Sequence, residues 1–331
     1  MKTTELQPRG AATIARTDEA NQLAAITSNF IAELDVRPKS REIYTRNIGN
    51  FFRWVQASGR NLNTLTAADI VAYKTHLTEN YSPATAAGYI AAVRRFYVWA
   101  EANQLAPNIA AAVKPPKRAK AIAKQPLTLS DTGRLLQYEA DTDRRNYAII
   151  NLMLRVGLRC IEVSRANVGD ISTIAGRRVL YVQGKGKDAK DNFVILPADA
   201  YEPIAQYLAD RKATDDEPLF CSRSNNHQNG RLTTRAISAI AKNGLQNIGL
   251  NEKFFTAHSL RHTAAVNILR AGGSLLDAKR TLRHANIETT QIYTATMEQE
   301  QRLNNGGELI ADEFLNKMIG KIEVNAPSMA H

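Results

Sequence analysis

His258-Ser-Leu-Arg261-His262, Leu282-Arg283-His284 and Thr289-Thr290-Gln291-Ile292-Tyr293 fall within thirty-six residues of the chain. Residues three apart on a helix lie one turn from each other on the same face, so a helical His258 and Arg261 can both reach one phosphate. Leu260, Ala264, Ala265, Ile268 and Leu269 recur at helical spacing and predict a helix over 256–270, and Gly272-Gly273 supplies the residue type favoured just past a helix end. A second helix is expected over 274–282, with Ser274 as N-cap and Asp277 at N3. A third, capped by Asn286, would carry Thr289, Thr290 and Tyr293. This stretch therefore reads as a run of short helices closing a helical domain on a tyrosine.

Outward from it, 331 residues and 36.6 kDa point to two domains, each large enough to bury a core. Hydrophobic residues make up 44% of the chain, and no apolar run approaches the roughly eighteen residues that span a bilayer, so no membrane association is expected. Met1 to Ala20 is polar and charged where an export signal needs an apolar stretch. Cys160 and Cys221 have neither metal-ligand nor paired spacing, which fits a reducing cytoplasm. Net charge is +11, unevenly spread: residues 1–124 hold 17 Lys and Arg against 9 Asp and Glu, and residues 125–331 hold 26 against 23. A basic lobe beside a nearly balanced one suits a polyanion clamp, and a solubilising surface accounts for it equally.

After a flexible start at residues 1–17, the first part (18–113) reads as all helix, with elements near 18–35, 39–57, 67–79 and 83–103. Ser82-Pro83 is an N-cap followed by proline at N1. Tyr44, Phe51, Phe52, Trp54, Tyr89, Phe96, Tyr97 and Trp99 are expected to pack the core of a small bundle. Arg94 and Arg95 interrupt this set and, with Arg41, Arg46 and Arg53, either line a DNA-facing surface or are simply solvated. Residues 114–126 form a linker that carries Lys114, Lys117, Arg118, Lys120 and Lys124 among prolines. The prolines block helix and the cations favour phosphate, so an extended tether along DNA is expected, although a passive spacer has the same composition.

The second part opens with helical patterns at 129–140 and 144–157, then Val156-Gly-Leu-Arg159-Cys-Ile-Glu162-Val. The period next changes to two: Arg178 to Gln183, a turn at Gly184-Lys185-Gly186-Lys187-Asp188, and Asn192 to Leu196 predict a β-hairpin. Glycines on both sides let Lys185 project from the turn; a lone Gly-Lys-Gly also marks a merely solvated turn, and Lys187 and Lys190 stand close by. His258 and His262 have metal-ligand spacing, but Ser259 replaces the zincin glutamate and no third ligand is evident, so no metal is expected. There is no Walker sequence or dinucleotide fingerprint, and hence no expected ATP or NAD cofactor. His262 reads as a packed or capping residue.

The segment from His258 to Tyr293 closely resembles the second signature box of the tyrosine recombinase (phage integrase) family: His-x-x-Arg, then Leu-Gly-His, then Thr-Thr-x-x-Tyr ending nine residues after that histidine. Arg283 stands where the family usually has glycine, which concerns the local turn. Arg159 to Glu162 is similar to the family's first box, and Lys185, 26 residues after Arg159, resembles its catalytic lysine in position. The resemblance implies a mainly α protein: a helical, SAM-like core-binding domain, then an α-rich catalytic domain over 127–300 with a small antiparallel β-sheet, and a tail over 301–331. It implies that Arg159, Lys185, His258, Arg261, His284 and Tyr293 are catalytic, with Glu162 supporting them.

Those residues fit the chemistry of a phosphodiester. Arg159 and Arg261 can hold the non-bridging oxygens as charge builds on them. Tyr293 attacks, its phenol pKa near 10 calling for a base, for which His258 is the candidate. Lys185 protonates the leaving 5′ oxygen, and His284 hydrogen-bonds the phosphate. The expected activity is site-specific recombination of double-stranded DNA for integration, excision or resolution, by a monomer or weak dimer that becomes a homotetramer on two sites, with a partner recombinase or accessory protein as a further possibility. Type IB topoisomerase-like relaxation and an inactive DNA-binding accessory protein are the alternatives. Beyond the tyrosine, Leu309, Ile310, Phe314, Leu315, Met318 and Ile319 predict an amphipathic helix that either folds back on its own domain or, as the resemblance favours, passes to a neighbouring subunit.

Overall fold

The computed structural model describes residues 9–117, 125–225, 228–283, 293, 298, 302–303 and 307–324; of 9–20 and 319–324 it describes the backbone alone. The chain divides into two units, Met1–Ala121 and Ile122–His331. The first is built on α1 (Arg9–Glu33), α2 (Pro38–Ala57), α3 (Ala67–Asn80) and α4 (Pro83–Ala102). Proline opens α2 and α4 at the first helical position, where an N–H would have no intrahelical partner. Ser82 caps α4 by accepting from the Thr85 amide at 3.3 Å, and Asp69 closes the start of α3 by accepting from the Thr66 amide at 2.9 Å. Helix α1 starts at Arg9, nine residues before the expected Asp18, because residues 11–17 are alanine-rich without glycine or proline and let the helix continue back through Gly10.

Of the expected aromatic set, Phe51, Phe52, Phe96 and Tyr97 are buried, and Tyr44, Trp54, Tyr89 and Trp99 pack half-buried around them. Phe30 and Tyr73 join this core: Phe30 meets Phe96 edge-on at 5.4 Å, and Phe51 meets Tyr73 at 5.0 Å. Burying one such ring stabilises by about 1.5–3 kcal/mol, so the bundle is held mainly by these contacts.

The second unit contains α5 (Leu129–Thr142), α6 (Arg144–Val156), α7 (Cys160–Arg165), strands β1 (Ile171–Ile174), β2 (Arg177–Val182) and β3 (Asn192–Ile195), then α8 (Ala198–Ala209), α9 (Thr234–Asn247), α10 (Ala257–Arg270), α11 (Leu275–Leu282) and α12 (Gly307–Val324). The sheet is antiparallel in the order β1-β2-β3, with Leu180 opposite Ile171 on one side and Val194 on the other. The expected hairpin is β2–β3; β1 adds a strand through Ala175-Gly176, whose φ values of 47° and 74° are those of a type I′ turn. Helix α10 is the centre of the unit, buried on every side from Ser259 to Val266. Among the described residues no helix is long and apolar enough to cross a membrane.

One buried carboxyl sits away from the candidate site. Glu139 on α5 is 3% exposed, and burial, with Asp143 adding to it, pushes its pKa up to about 7. The unfolded chain loses this proton near pH 4.3, so from about pH 4.3 to 7 the folded state holds a proton that the unfolded state has released. Stability should fall as pH rises through that window and level off above it, by on the order of 3–4 kcal/mol. Glu139→Gln should flatten this slope and unfold at a higher temperature than the wild type at pH values above the window; superimposable pH profiles from thermal melts would contradict it.

Candidate active site

Helix α6 ends at Gly157, which takes a left-handed φ of 64°. A Cβ there would stand 2.5 Å from Leu282 Cδ2, so both the backbone conformation and the close approach of α11 require glycine. The Gly157 carbonyl accepts from Arg261 Nη1, and the Leu282 carbonyl accepts from Arg261 Nη2. Arg261, on the central α10, thus ties the end of α6 to the end of α11.

Two residues after Gly157 the chain is extended at Arg159, and α7 begins. Glu162, one turn into α7, folds back on that start: its Oε2 accepts from the Arg159 amide and its Oε1 from Arg159 Nη1, both at 2.8 Å. Arg283 Nη2 donates to Glu162 Oε2, also at 2.8 Å, and Arg261 Nη1 lies 3.8 Å from the same oxygen. Three guanidiniums therefore converge on one carboxylate that is 1% exposed. Burial pushes the Glu162 pKa up, but Arg283, the Arg159 amide and Arg261 outweigh it and hold the carboxyl below its ordinary range. Burial, with Arg159 beside it, pushes Arg261 down to about 9, so it remains a cation at neutral pH.

Arg159, His258 and Arg261 line one cleft of about 280 Å³ with Met153, Leu158 and Thr234. Arg159 is 30% exposed and Arg261 1%, so Arg159 presents the larger donor surface. The Nε–H of Arg261 is buried without an acceptor among the described residues. His258 is exposed in the first turn of α10, where Thr256 caps the helix by accepting from the His258 amide at 3.3 Å. The helical spacing that the sequence predicted for His258 and Arg261 thus delivers both to the cleft.

Tyr293 is helical and 4% exposed, packed with Ala265, Val266 and Leu282. His262 is buried and meets the Tyr293 ring edge-on at 4.7 Å, which makes it a packing residue as expected. Burial raises the Tyr293 pKa above that of a free phenol, while Arg261 and Arg159 pull it back down. His284 lies outside the described residues, as do Asn286, Thr289 and Thr290.

The β2–β3 turn is anchored beside the cluster. Arg165 on α7 donates to the Gly184 carbonyl at 3.0 Å, and a Cβ on Gly184 would stand 4.0 Å from Glu162 Oε1. Gly186 takes a φ of 75°, which lets the chain reverse so that the Lys187 amide reaches the Gly184 carbonyl. Lys187 pairs with Asp191 at 2.8 Å and Lys190 with Asp170 at 2.5 Å, whereas Lys185 is exposed and makes no ion pair among the described residues.

In the helical unit, Arg41, Arg46 and Arg53 are exposed on α2, and Arg95 is exposed and Arg94 half-buried on α4. Arg95 lies over the Tyr44 ring at 5.4 Å and donates to its hydroxyl at 3.3 Å; Arg41 donates to the Leu34 carbonyl and Arg94 to that of Ala111. Among the described residues none of the five pairs with a carboxylate, so their charge remains available to an anion. Lys114 and Lys117 are exposed; Arg118 and Lys120 lie outside the described residues.

Sequence reasoning gave Arg283 no role beyond its departure from glycine, and it did not single out Thr234 or the glycine demanded at position 157.

The chain is 28% identical over 290 residues to tyrosine recombinase XerA of Thermococcus kodakarensis, covering 86% of this chain and 96% of that one. It is 29% identical over 278 residues to tyrosine recombinase XerD of Listeria innocua, covering 80% and 90%. A lambda integrase dimer bound to a COC′ core site shares the fold, with a TM-score of 0.65 at 16% identity over 80% of this chain and 96% of that one. Residues 27–104 match the phage integrase N-terminal SAM-like domain. Residues 125–300, more than half the chain, match the phage integrase family itself, and the chain belongs to that family.

Proposed function

We propose that this protein is a site-specific DNA recombinase that cleaves and rejoins strands through a 3′-phosphotyrosyl intermediate on Tyr293. The observation that carries this reading is the convergence of Arg159, Arg261 and Arg283 on the single carboxylate of Glu162, beside a cleft shared with His258. Three fixed cations against one anion leave the cluster electropositive, a field suited to one phosphodiester and to the charge that builds on it during attack. Arg159 grips a non-bridging oxygen, and the Arg261 Nε–H, which lacks an acceptor, takes a second contact. His258 receives the Tyr293 proton and Lys185 delivers one to the departing 5′ oxygen, with His284 bonding the phosphate. The phosphotyrosyl bond keeps the energy of the ester it replaced, so religation needs no ATP, and Arg159 and Arg261 take the charge-stabilising role that a divalent metal fills in other nucleases.

The helical domain over 18–113 and the linker over 114–126 supply phosphate contacts through Arg41, Arg46, Arg53, Arg94, Arg95, Lys114, Lys117, Arg118 and Lys120, and 127–300 is the catalytic domain. The reaction takes place on chromosomal or mobile-element DNA in the cytoplasm. The test begins by letting the wild-type chain select its sequence from a random duplex pool. Plasmids carrying two copies of that sequence should exchange segments, with chelator present, whereas relaxation of a plasmid without exchange would favour the topoisomerase alternative.

Assembly into a tetramer on two sites is the part of this reading that the tail supports. Leu309, Ile310, Phe314, Leu315 and Met318 on α12 are 44–62% exposed, an apolar face that another surface would cover at a gain. Removing residues 308–331 should leave single-site binding intact and weaken the joining of two sites, and Phe314→Asp should act in the same direction. Wild-type levels of two-site complexes in native gels of both variants would remove α12 from assembly.

A further inference from the structure

We propose that Arg283 is a positioning residue of the strand-cleavage site: it holds the Glu162 carboxylate, and Glu162 in turn aims Arg159 at the phosphate. This inference rests on the recombinase reading above.

Arg283 ends α11 with φ 54° and ψ 47°, a left-handed conformation that glycine adopts freely and a side chain with a Cβ resists. Its side chain is 10% exposed; Nη1 donates to the Thr281 carbonyl at 2.5 Å, Nη2 donates to Glu162 Oε2 at 2.8 Å, and the buried Nε–H has no acceptor among the described residues. A strained backbone, a desolvated charge and an unmet donor all count against arginine here. The contact with Glu162 is what offsets them. The two carboxylate oxygens divide the work: Oε2 takes Arg283 and the Arg159 amide, leaving Oε1 to accept from Arg159 Nη1. A carboxylate held on one side can orient a guanidinium on the other, as outer partners orient the ligands of a metal. Arg283 lies beyond the substrate-facing groups and acts through Glu162.

The test measures single-turnover cleavage of a nicked duplex carrying the selected sequence, alongside its Kd, for Arg283→Gly, Arg283→Asn and Arg283→Lys in the full chain. Glycine and asparagine accept the left-handed backbone and remove the charge; lysine keeps the charge and the strain. We expect cleavage by the Gly and Asn variants to fall on the order of tenfold to a hundredfold with Kd unchanged, and the Lys variant to recover part of that loss. Glu162→Gln should lower the rate by itself, and Arg283→Gly should add little in that background, because both changes break one chain of contacts. Wild-type rates in the Gly and Asn variants overturn the inference, as does a full, additive loss in the Glu162→Gln background or a Lys variant no better than Gly. A wild-type chain that forms no covalent adduct overturns the recombinase reading and this inference together; a wild-type chain that cleaves, with Arg283→Gly cleaving as fast, overturns this inference alone.

Discussion

Tyr293→Phe should abolish the covalent protein–DNA adduct and leave DNA affinity within about twofold, since the change removes the nucleophile and no phosphate-binding cation. The fold should survive it. Tyr293 is 4% exposed, packed on Ala265, Val266 and Leu282 with His262 against its ring, and phenylalanine keeps that ring. Burial holds the phenol pKa above its usual value, so Tyr293 rests neutral at physiological pH and must lose its proton during attack. Denaturing gels of protein mixed with a nicked duplex read the outcome, and an adduct that persists in the phenylalanine variant would exclude Tyr293 as the nucleophile.

The second large effect belongs to Arg159. Losing one preorganised charge at the reacting phosphate should cost about a hundredfold or more in cleavage rate, so Arg159→Ala should fall at least that far while binding nearly normally. Arg159→Lys should recover little, because an ammonium cannot both meet Glu162 Oε1 and present a planar fork to an oxyanion. Arg261→Ala should fall as far in rate and also lose stability, because two main-chain carbonyls lose a buried donor at about 1–3 kcal/mol each and Glu162 loses a buried cation 3.8 Å away. Thermal melts separate the two variants: Arg159→Ala should melt near the wild type and Arg261→Ala well below it. Near-normal cleavage by Arg159→Ala would take that residue out of the site.

The helices of the first unit were legible because apolar residues recur at three and four spacing, and at α4 the Ser82 N-cap and Pro83 coincide with that pattern. Helices α10 and α11 were legible from apolar spacing, the Gly272-Gly273 stop between them and the Ser274 cap with Asp277, and the β2–β3 hairpin because its period is two. Elements whose apolar pattern is short or interrupted were not. Helix α7 has six residues, β1 has four and turns on Ala-Gly, and α8 carries Pro203 inside it. Helix α9 mixes buried Ile237, Ala241 and Leu245 with Gly244, which weakens its pattern although the glycine is required where α9 meets Glu139 and Leu135.

For the site, helical spacing put His258 and Arg261 on one face and the family resemblance added Arg159, and all three line one cleft; that Lys187 and Lys190 pair with Asp191 and Asp170 is visible only in three dimensions. The hold on the non-bridging oxygens expected of both arginines is unequal here: Arg261 spends its terminal nitrogens on Gly157 and Leu282, and Arg159 keeps donor surface. Arg283 was read as a deviation in a turn. Its tie to Glu162, 121 residues earlier in the chain, is a tertiary contact that no local pattern contains.

The central claim is a covalent bond between Tyr293 and a DNA 3′ phosphate. The direct measurement is mass spectrometry of peptides from the wild-type adduct, trapped on the nicked duplex with chelator present and trimmed with nuclease. The account predicts a nucleotide-bearing phosphate on the peptide containing Tyr293, at the Tyr293 hydroxyl. A phosphate on any other residue, or an adduct that forms only when magnesium is supplied, would contradict it.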